Sequence, residues 1–116
     1  MNQSDLDFQT FKDFWPFYLS QHQNKICRVL HYIGTSIGIM LCSYFIHHGQ
    51  FLAIPLSFAP AYAFAWTGHF IFEHNKPATF KYPFFSFAGD FVMLYYFFHG
   101  KIAEESDKTE VQQYLK

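Results

Sequence analysis

VLHYIGTSIGIMLCSYFIHHGQFLAIPLSFAPAYAFAWTGHFIF, residues 29 to 72, runs for 44 residues without an Asp, Glu, Lys or Arg. A helical bilayer crossing takes about 20 apolar residues. The stretch therefore holds two crossings and a tight turn, placed at HHGQ (47–50). Charged residues make up 15% of the 116-residue chain, against roughly 25% in soluble domains. The 27 aromatic residues (17 Phe, 8 Tyr, 2 Trp) and seven His keep the mean hydropathy near zero without supplying solvated charge.

This reading predicts an all-α fold: a small helical integral membrane bundle, one domain over 1–116. Its centre is an antiparallel transmembrane hairpin of helices over 25–47 and 51–72. Asn24 is the expected N-cap of the first. Gly34 and Gly38 form a GxxxG that lets helices approach closely in lipid. Pro55 and Pro60 are expected to bend the second. Residues 6–20, with Leu6, Phe8, Phe11, Phe14, Trp15 and Tyr18 at helical spacing, read as an N-terminal interfacial helix. Its aromatics suit the headgroup region, and Pro16 is expected to kink or break it. A third apolar helix is expected over 83–98, short for a crossing and with Asp90 inside it. Residues 100–116 read as a solvated tail.

Lys12, Lys25 and Arg28 precede the first crossing, Lys76 and Lys81 follow the second, and the turn between has neither Lys nor Arg. By the positive-inside rule the N-terminal part and the 73–82 connection share the cytoplasmic side. A multi-pass protein of a bacterial inner membrane or the endoplasmic reticulum is expected, since the acidic start lacks the apolar core of a cleavable signal peptide. The net charge of −1 shows no basic excess for nucleic acid. Cys27 and Cys42 form no metal or redox motif and read as free thiols.

The hairpin sorts the histidines. His22, His31, His69 and His74 fall at one membrane face, His47 and His48 at the other, and His99 closes the third segment. His22 and His31 lie about half a turn apart on one continuous helix, so they converge only if the chain turns near Gln23 and Asn24. His69 and Glu73, four apart, share a helical face, whereas His74 joins them only if the helix ends first. Imidazole and carboxylate suit iron, zinc, copper or nickel. Ionisable groups at membrane depth are costly, which favours a site at His22, His31 and His69. Glu73 and His74 are candidate further ligands, although Glu73 could equally pair with Lys76. His47, His48 and His99 read as amphipathic interface side chains. Asp90 needs a partner in its apolar segment: the far nitrogen of a ligating His, or a Tyr or Trp.

FYLSQHQNKICRVLH with GHFIFEHNKPATF, and most of the chain from about Phe11 to Phe98, resembles the yeast-type 2-hydroxy fatty acid dioxygenase family of small multi-pass membrane proteins. The most specific parts are His22 with His31 nine later, then Gly68-His69 with Glu73 and Pro77-Ala78. The resemblance implies Fe(II)-dependent alpha-oxidation, in which a 2-hydroxy fatty acid and O2 yield the acid one carbon shorter. It implies His22, His31 and His69 as the iron-holding, catalytic residues, with His74 departing from the family pattern. The substrate carboxylate would be drawn by Lys25 or Arg28, and membrane lipid would surround the bundle. Competing expectations are a haem protein with two axial His and a non-enzymatic membrane scaffold. A zinc hydrolase is weaker, with neither a nucleophile elbow nor HExxH in the chain.

Overall fold

The computed structural model describes residues 7–115, and all regular structure among them is helical. Helix α1 spans Phe11–Ser20 and α2 spans Lys25–His47. The Asn24 side chain accepts from the Ile26 and Cys27 amides and so starts α2. After a turn at 48–50 the chain winds as a 3-10 helix over Phe51–Ser57. It continues as α3 over Phe58–Thr67 and ends as a π-helix over Gly68–Glu73. Helix α4 spans Pro83–Phe98, with Pro83 in the first turn, where its missing N–H costs nothing. Two short helices follow, α5 over Ile102–Ser106 and α6 over Thr109–Gln112.

Lys25–His47 and Phe51–Glu73, 23 residues each, are long and apolar enough to cross a membrane. They run antiparallel and meet along a seam of glycines. A Cβ on Gly34 would come within 3.0 Å of the Ala61 carbonyl oxygen and of the Phe64 Cβ. One on Gly38 would lie 3.1 Å from the Ser57 carbonyl oxygen, and one on Gly68 would lie 2.9 Å from Cys27 Sγ. Cys27 thus pairs with Gly68, Gly34 with Ala61, and Gly38 with Ser57. Only 22% and 17% of the two segments' most apolar windows are buried inside the protein, unlike the core helix of a soluble domain. Leu52 is 99% exposed, Phe84 86% and Met40 67%, so large apolar side chains face outward along both segments and α4. Helix α4, at 16 residues, measures about 24 Å and is shorter than a bilayer's hydrocarbon core of about 30 Å.

The buried core lies elsewhere. Phe14, Phe17, Tyr18 and Leu19 of α1 pack with Met93 and Leu94 of α4, Tyr32 of α2 and Val111 of α6. Phe14 lies against Phe8, Phe17, Tyr82 and Phe85 at ring-centroid separations of 5.3–6.1 Å, the range in which aromatic pairs attract. This corrects three expectations. The aromatics of α1 turn inward rather than toward a membrane interface. The helix begins at Phe11 and not within 6–10, although Leu6 lies outside the described residues. It also runs unbroken through Pro16, because Lys12, whose carbonyl loses its partner to the proline ring, is exposed at the surface. The 100–115 segment is also not wholly solvated: Val111 and Ser106 are buried, and Trp15 Nε1 donates to Glu105 Oε1 at 3.2 Å. Lys108 pairs with the other oxygen of Glu105 at 2.5 Å.

The seam yields a stability prediction. Gly34→Ala has no room against the Ala61 carbonyl, so the segments must separate at a cost of about 1–3 kcal/mol, the range for overpacked interiors. Thermal unfolding in detergent should show a lowered Tm, whereas Met40→Ala on the outer face should leave it unchanged. An unaltered Tm in Gly34→Ala would mean the seam is not tightly packed.

Candidate metal centre

Three segments bring one histidine each to the same buried point. His22 comes from the turn after α1, His31 from the second turn of α2, and His69 from the π-helical end of the second long segment. Their ring nitrogens offer three ligand atoms within 4.8 Å of one another, and all three residues are buried. The His22 and His31 Nε2 atoms are 3.1 Å apart. Ring centroids are separated by 4.4 Å for His22–His31, 4.5 Å for His22–His69 and 4.9 Å for His31–His69.

The other nitrogen of each ring has an oxygen partner. His22 Nδ1 lies 2.6 Å from the Tyr18 carbonyl, His31 Nδ1 2.8 Å from the Cys27 carbonyl, and His69 Nδ1 2.7 Å from Asn75 Oδ1. Two of these partners are carbonyls, which only accept. Asn75 Nδ2 donates to the Gln21 carbonyl at 3.0 Å, so its oxygen is the atom facing His69. Each Nδ1 must therefore carry the hydrogen. Each Nε2 is left as a lone pair, and this is the arrangement of metal-holding histidines whose far N–H is fixed by an oxygen. Burial, then repulsion from His31 and His69, hold His22 well below the ordinary imidazole value, so its ring stays neutral and able to ligate at physiological pH.

Local structure explains the convergence. Helix α1 ends with Ser20 and α2 starts at Lys25, so a four-residue turn swings His22 back over His31. Arg28 Nη1 donates to the His22 carbonyl at 3.0 Å and to that of Gln23 at 3.4 Å, which pins the turn to α2. Asn24 joins the turn to the end of the second segment, its Nδ2 donating to the Phe72 carbonyl at 3.3 Å and its amide N–H to Glu73 Oε1. There the backbone is π-wound, a form found mostly at functional sites, and it closes when the His74 and Asn75 amides both donate to the His69 carbonyl. His74 ends the winding with φ 60°, ψ 40°, a left-handed conformation that few non-glycine residues adopt.

The remaining expected site residues are placed as follows. Glu73 faces the Asn24 amide at the start of α2, where a carboxylate also meets the positive end of the helix dipole. It is not part of the histidine cluster, its carboxylate being engaged by the Asn24 amide instead. His74 is exposed and also outside the cluster. Lys25 is exposed at the mouth of the turn. Arg28 is half-buried, its guanidinium engaged with the two turn carbonyls. Asp90 contacts no histidine nitrogen: it accepts from the Tyr18 hydroxyl. Tyr18 in turn stacks on the His22 ring at 4.1 Å and 26°. Burial and then the Asp90 charge push the Tyr18 phenol well above its ordinary range, so it remains an O–H donor.

Two residues carry the site without having been singled out. Asn75 stands next to His74 in the polar connection, and only the left-handed turn at His74 reveals that it folds back on His69. Tyr18 was hidden among the aromatics of α1. A small pocket of about 10 Å³ lies against the three histidines, lined also by Tyr18, Tyr62, Ser86 and Asp90. The buried Ser86 hydroxyl has no hydrogen-bond partner. Three unprotonated Nε2 atoms and an orphaned hydroxyl around a space of ionic size fit a transition-metal ion.

Asn75→Ala should free the His69 ring to rotate and change tautomer. Such a loss costs on the order of 10–100-fold in metal affinity, measurable by Fe(II) or Co(II) titration of the purified protein. Asn75→Asp, which keeps the acceptor, should recover most of it. Unchanged affinity in Asn75→Ala would show that another group orients His69.

The searches of curated proteins and of solved structures found no match. Residues 8–102, which contain all three histidines, match the family described as 2-hydroxy-palmitic acid dioxygenase Mpo1-like. The chain belongs to that Mpo1-like family.

Proposed function

We propose that this protein is an Fe(II)-dependent dioxygenase that shortens 2-hydroxy fatty acids by one carbon with O2. The observation that carries the reading is the buried trio of Nε2 atoms on His22, His31 and His69, found in a chain whose family name is that of a 2-hydroxy-palmitic acid dioxygenase. Three neutral imidazoles with room for further ligands suit Fe(II), which when bound supplies O2 chemistry and polarises the oxygens of the acid. The pocket beside the trio, about 10 Å³, admits an ion but no porphyrin, which disfavours haem.

The chain's own residues do the rest. Tyr18, Cys27 and Asn75 hold the three Nδ1–H groups and so fix where the lone pairs point. Arg28 holds the His22 turn through its carbonyls, and exposed Lys25 draws the substrate carboxylate toward the mouth. The Ser86 hydroxyl offers a hydrogen bond to a bound acid. Burial of the trio excludes bulk water, which strengthens every polar contact there.

The protein works in a membrane as a multi-pass chain, with Lys25–His47 and Phe51–Glu73 crossing as a hairpin and the site on the cytoplasmic side. Supporting this are the outward-facing apolar side chains and the Lys and Arg gathered at one end. Such a position places a polar reactive head at headgroup depth and its hydrocarbon tail in the bilayer.

Purified protein loaded anaerobically with Fe(II) should convert 2-hydroxypalmitate and O2 to the acid one carbon shorter. His22→Ala, His31→Ala and His69→Ala should each lose bound iron and fall to background turnover. His47→Ala and His48→Ala, exposed at the far turn, should retain both. Full turnover by His69→Ala, or by iron-stripped protein, would overturn the reading.

Cysteines introduced at Gln50 and Lys76 test the topology. An impermeant maleimide should reach Lys76→Cys only from the cytoplasmic side and Gln50→Cys only from the other. Labelling of both from one side would rule out the hairpin crossing.

A further inference from the structure

A second, larger cavity adjoins the histidine pocket. It has a volume of about 240 Å³ and lies between α2, α4 and the second long segment. Its walls are apolar: Ile39, Phe58, Ala61, Phe87 and Phe91 line it. Tyr62 and Asp90 line both cavities, so these two residues form the neck between them. From the neck the cleft follows α2 past Thr35 and Gly38 to Cys42. Cys42 stands eleven residues beyond His31, or about 17 Å along the helix axis.

The cleft and pocket differ in chemistry as the two ends of a fatty acid do. Polar donors and acceptors converge at the histidine end, and hydrocarbon lines the other. Asp90, alone among the carboxylates, sits at the junction. Tyr18 occupies its Oδ1, leaving Oδ2 to accept from a second donor. On a 2-hydroxy acid whose carboxyl lies by the histidines and whose tail lies in the cleft, the group at the neck is the 2-hydroxyl.

We infer that the cleft lined by Thr35, Gly38, Cys42, Ala61 and Phe87 holds the substrate's hydrocarbon tail, with Asp90 at its neck accepting from the 2-hydroxyl. The inference rests on the dioxygenase reading and assigns it two specificity devices. Cleft length sets the preferred chain, and Asp90 distinguishes a 2-hydroxy acid from the plain acid. Filling the far end of such a cleft rejects long chains, and removing a buried acceptor relaxes the demand for a hydroxyl. The exposed aromatic rim at Phe58, Phe87 and Phe91 lets a tail slide in sideways from lipid.

Cys42 provides a probe that needs no substitution. It is half-buried in the cleft, whereas Cys27 is fully buried and serves as an internal reference. In purified iron-loaded protein, saturating 2-hydroxypalmitate should slow maleimide labelling of Cys42, read by mass spectrometry, at least about tenfold. 2-Hydroxybutyrate, too short to reach Cys42, should leave the rate unchanged, and palmitate should protect far less. In Asp90→Asn the advantage of 2-hydroxypalmitate over palmitate should fall at least about tenfold. Cys42→Trp should move the turnover ratio of 2-hydroxypalmitate to 2-hydroxyoctanoate toward the shorter acid by a similar factor. Unprotected Cys42 with turnover intact would overturn the cleft and keep the chemistry. Protected Cys42 without turnover on any 2-hydroxy acid would keep the cleft and overturn the chemistry. Equal protection by palmitate in the unaltered protein would reduce the cleft to a groove for any lipid chain and overturn the role of Asp90.

Discussion

Three nitrogen lone pairs facing one another in a buried space are the constraint around which the rest is arranged. Two Nε2 atoms at 3.1 Å with neither hydrogen between them repel, and a buried polar atom without a partner costs roughly 1–3 kcal/mol. The Nδ1 hydrogen bonds to Tyr18, Cys27 and Asn75 leave no tautomer that would relieve the conflict locally. A cation at the centre satisfies all three at once. The arrangement is that of pre-organised ligands, which a bound ion would satisfy.

Each device holding that arrangement is also a joint of the fold. Asn24 caps α2 and ties its start to the end of the second segment through Phe72 and Glu73. Arg28 reaches back from α2 to the His22 turn. Tyr18 belongs to the aromatic core, stacks on His22 and donates to Asp90. A Cβ on Gly89 would come within 2.8 Å of the Tyr18 ring, so α4 too is set by this side chain. The histidine cluster therefore lies on the border between the glycine seam and the aromatic core, and its geometry depends on both.

Much of this was legible in the chain. The uncharged stretch marked the two long segments, and the turn required near Asn24 was implied by the half-turn offset of His22 and His31. That these two meet His69 followed from reading the segments as antiparallel. Helical periodicity said that α1 has an apolar face, but not whether that face meets lipid or protein. The partners that turned it inward, Met93, Leu94 and Val111, lie more than 70 residues away. The tail looked solvated because its charges are dense, yet Val111 and Ser106 are buried and one of those charges, Glu105, is held by Trp15 and Lys108. The π winding was invisible as well. Nor did the four-residue spacing of His69 and Glu73 show that the carboxylate turns to the Asn24 amide rather than to the histidines.

The placement of Glu73 has a chemical consequence. A carboxylate added to three imidazoles would bring negative charge and a fourth protein ligand to any ion held there. The Asn24 amide instead holds Glu73 at the start of α2, where its charge meets a helix N-terminus. Asp90 lines the pocket, with Oδ1 engaged by the Tyr18 hydroxyl. The three imidazole nitrogens that would hold an ion are neutral. Three neutral imidazoles would leave a bound ion its full positive charge, which would favour an anionic ligand. On the proposed reading, affinity for a carboxylate-bearing substrate would originate in how the protein disposes of its own carboxylates.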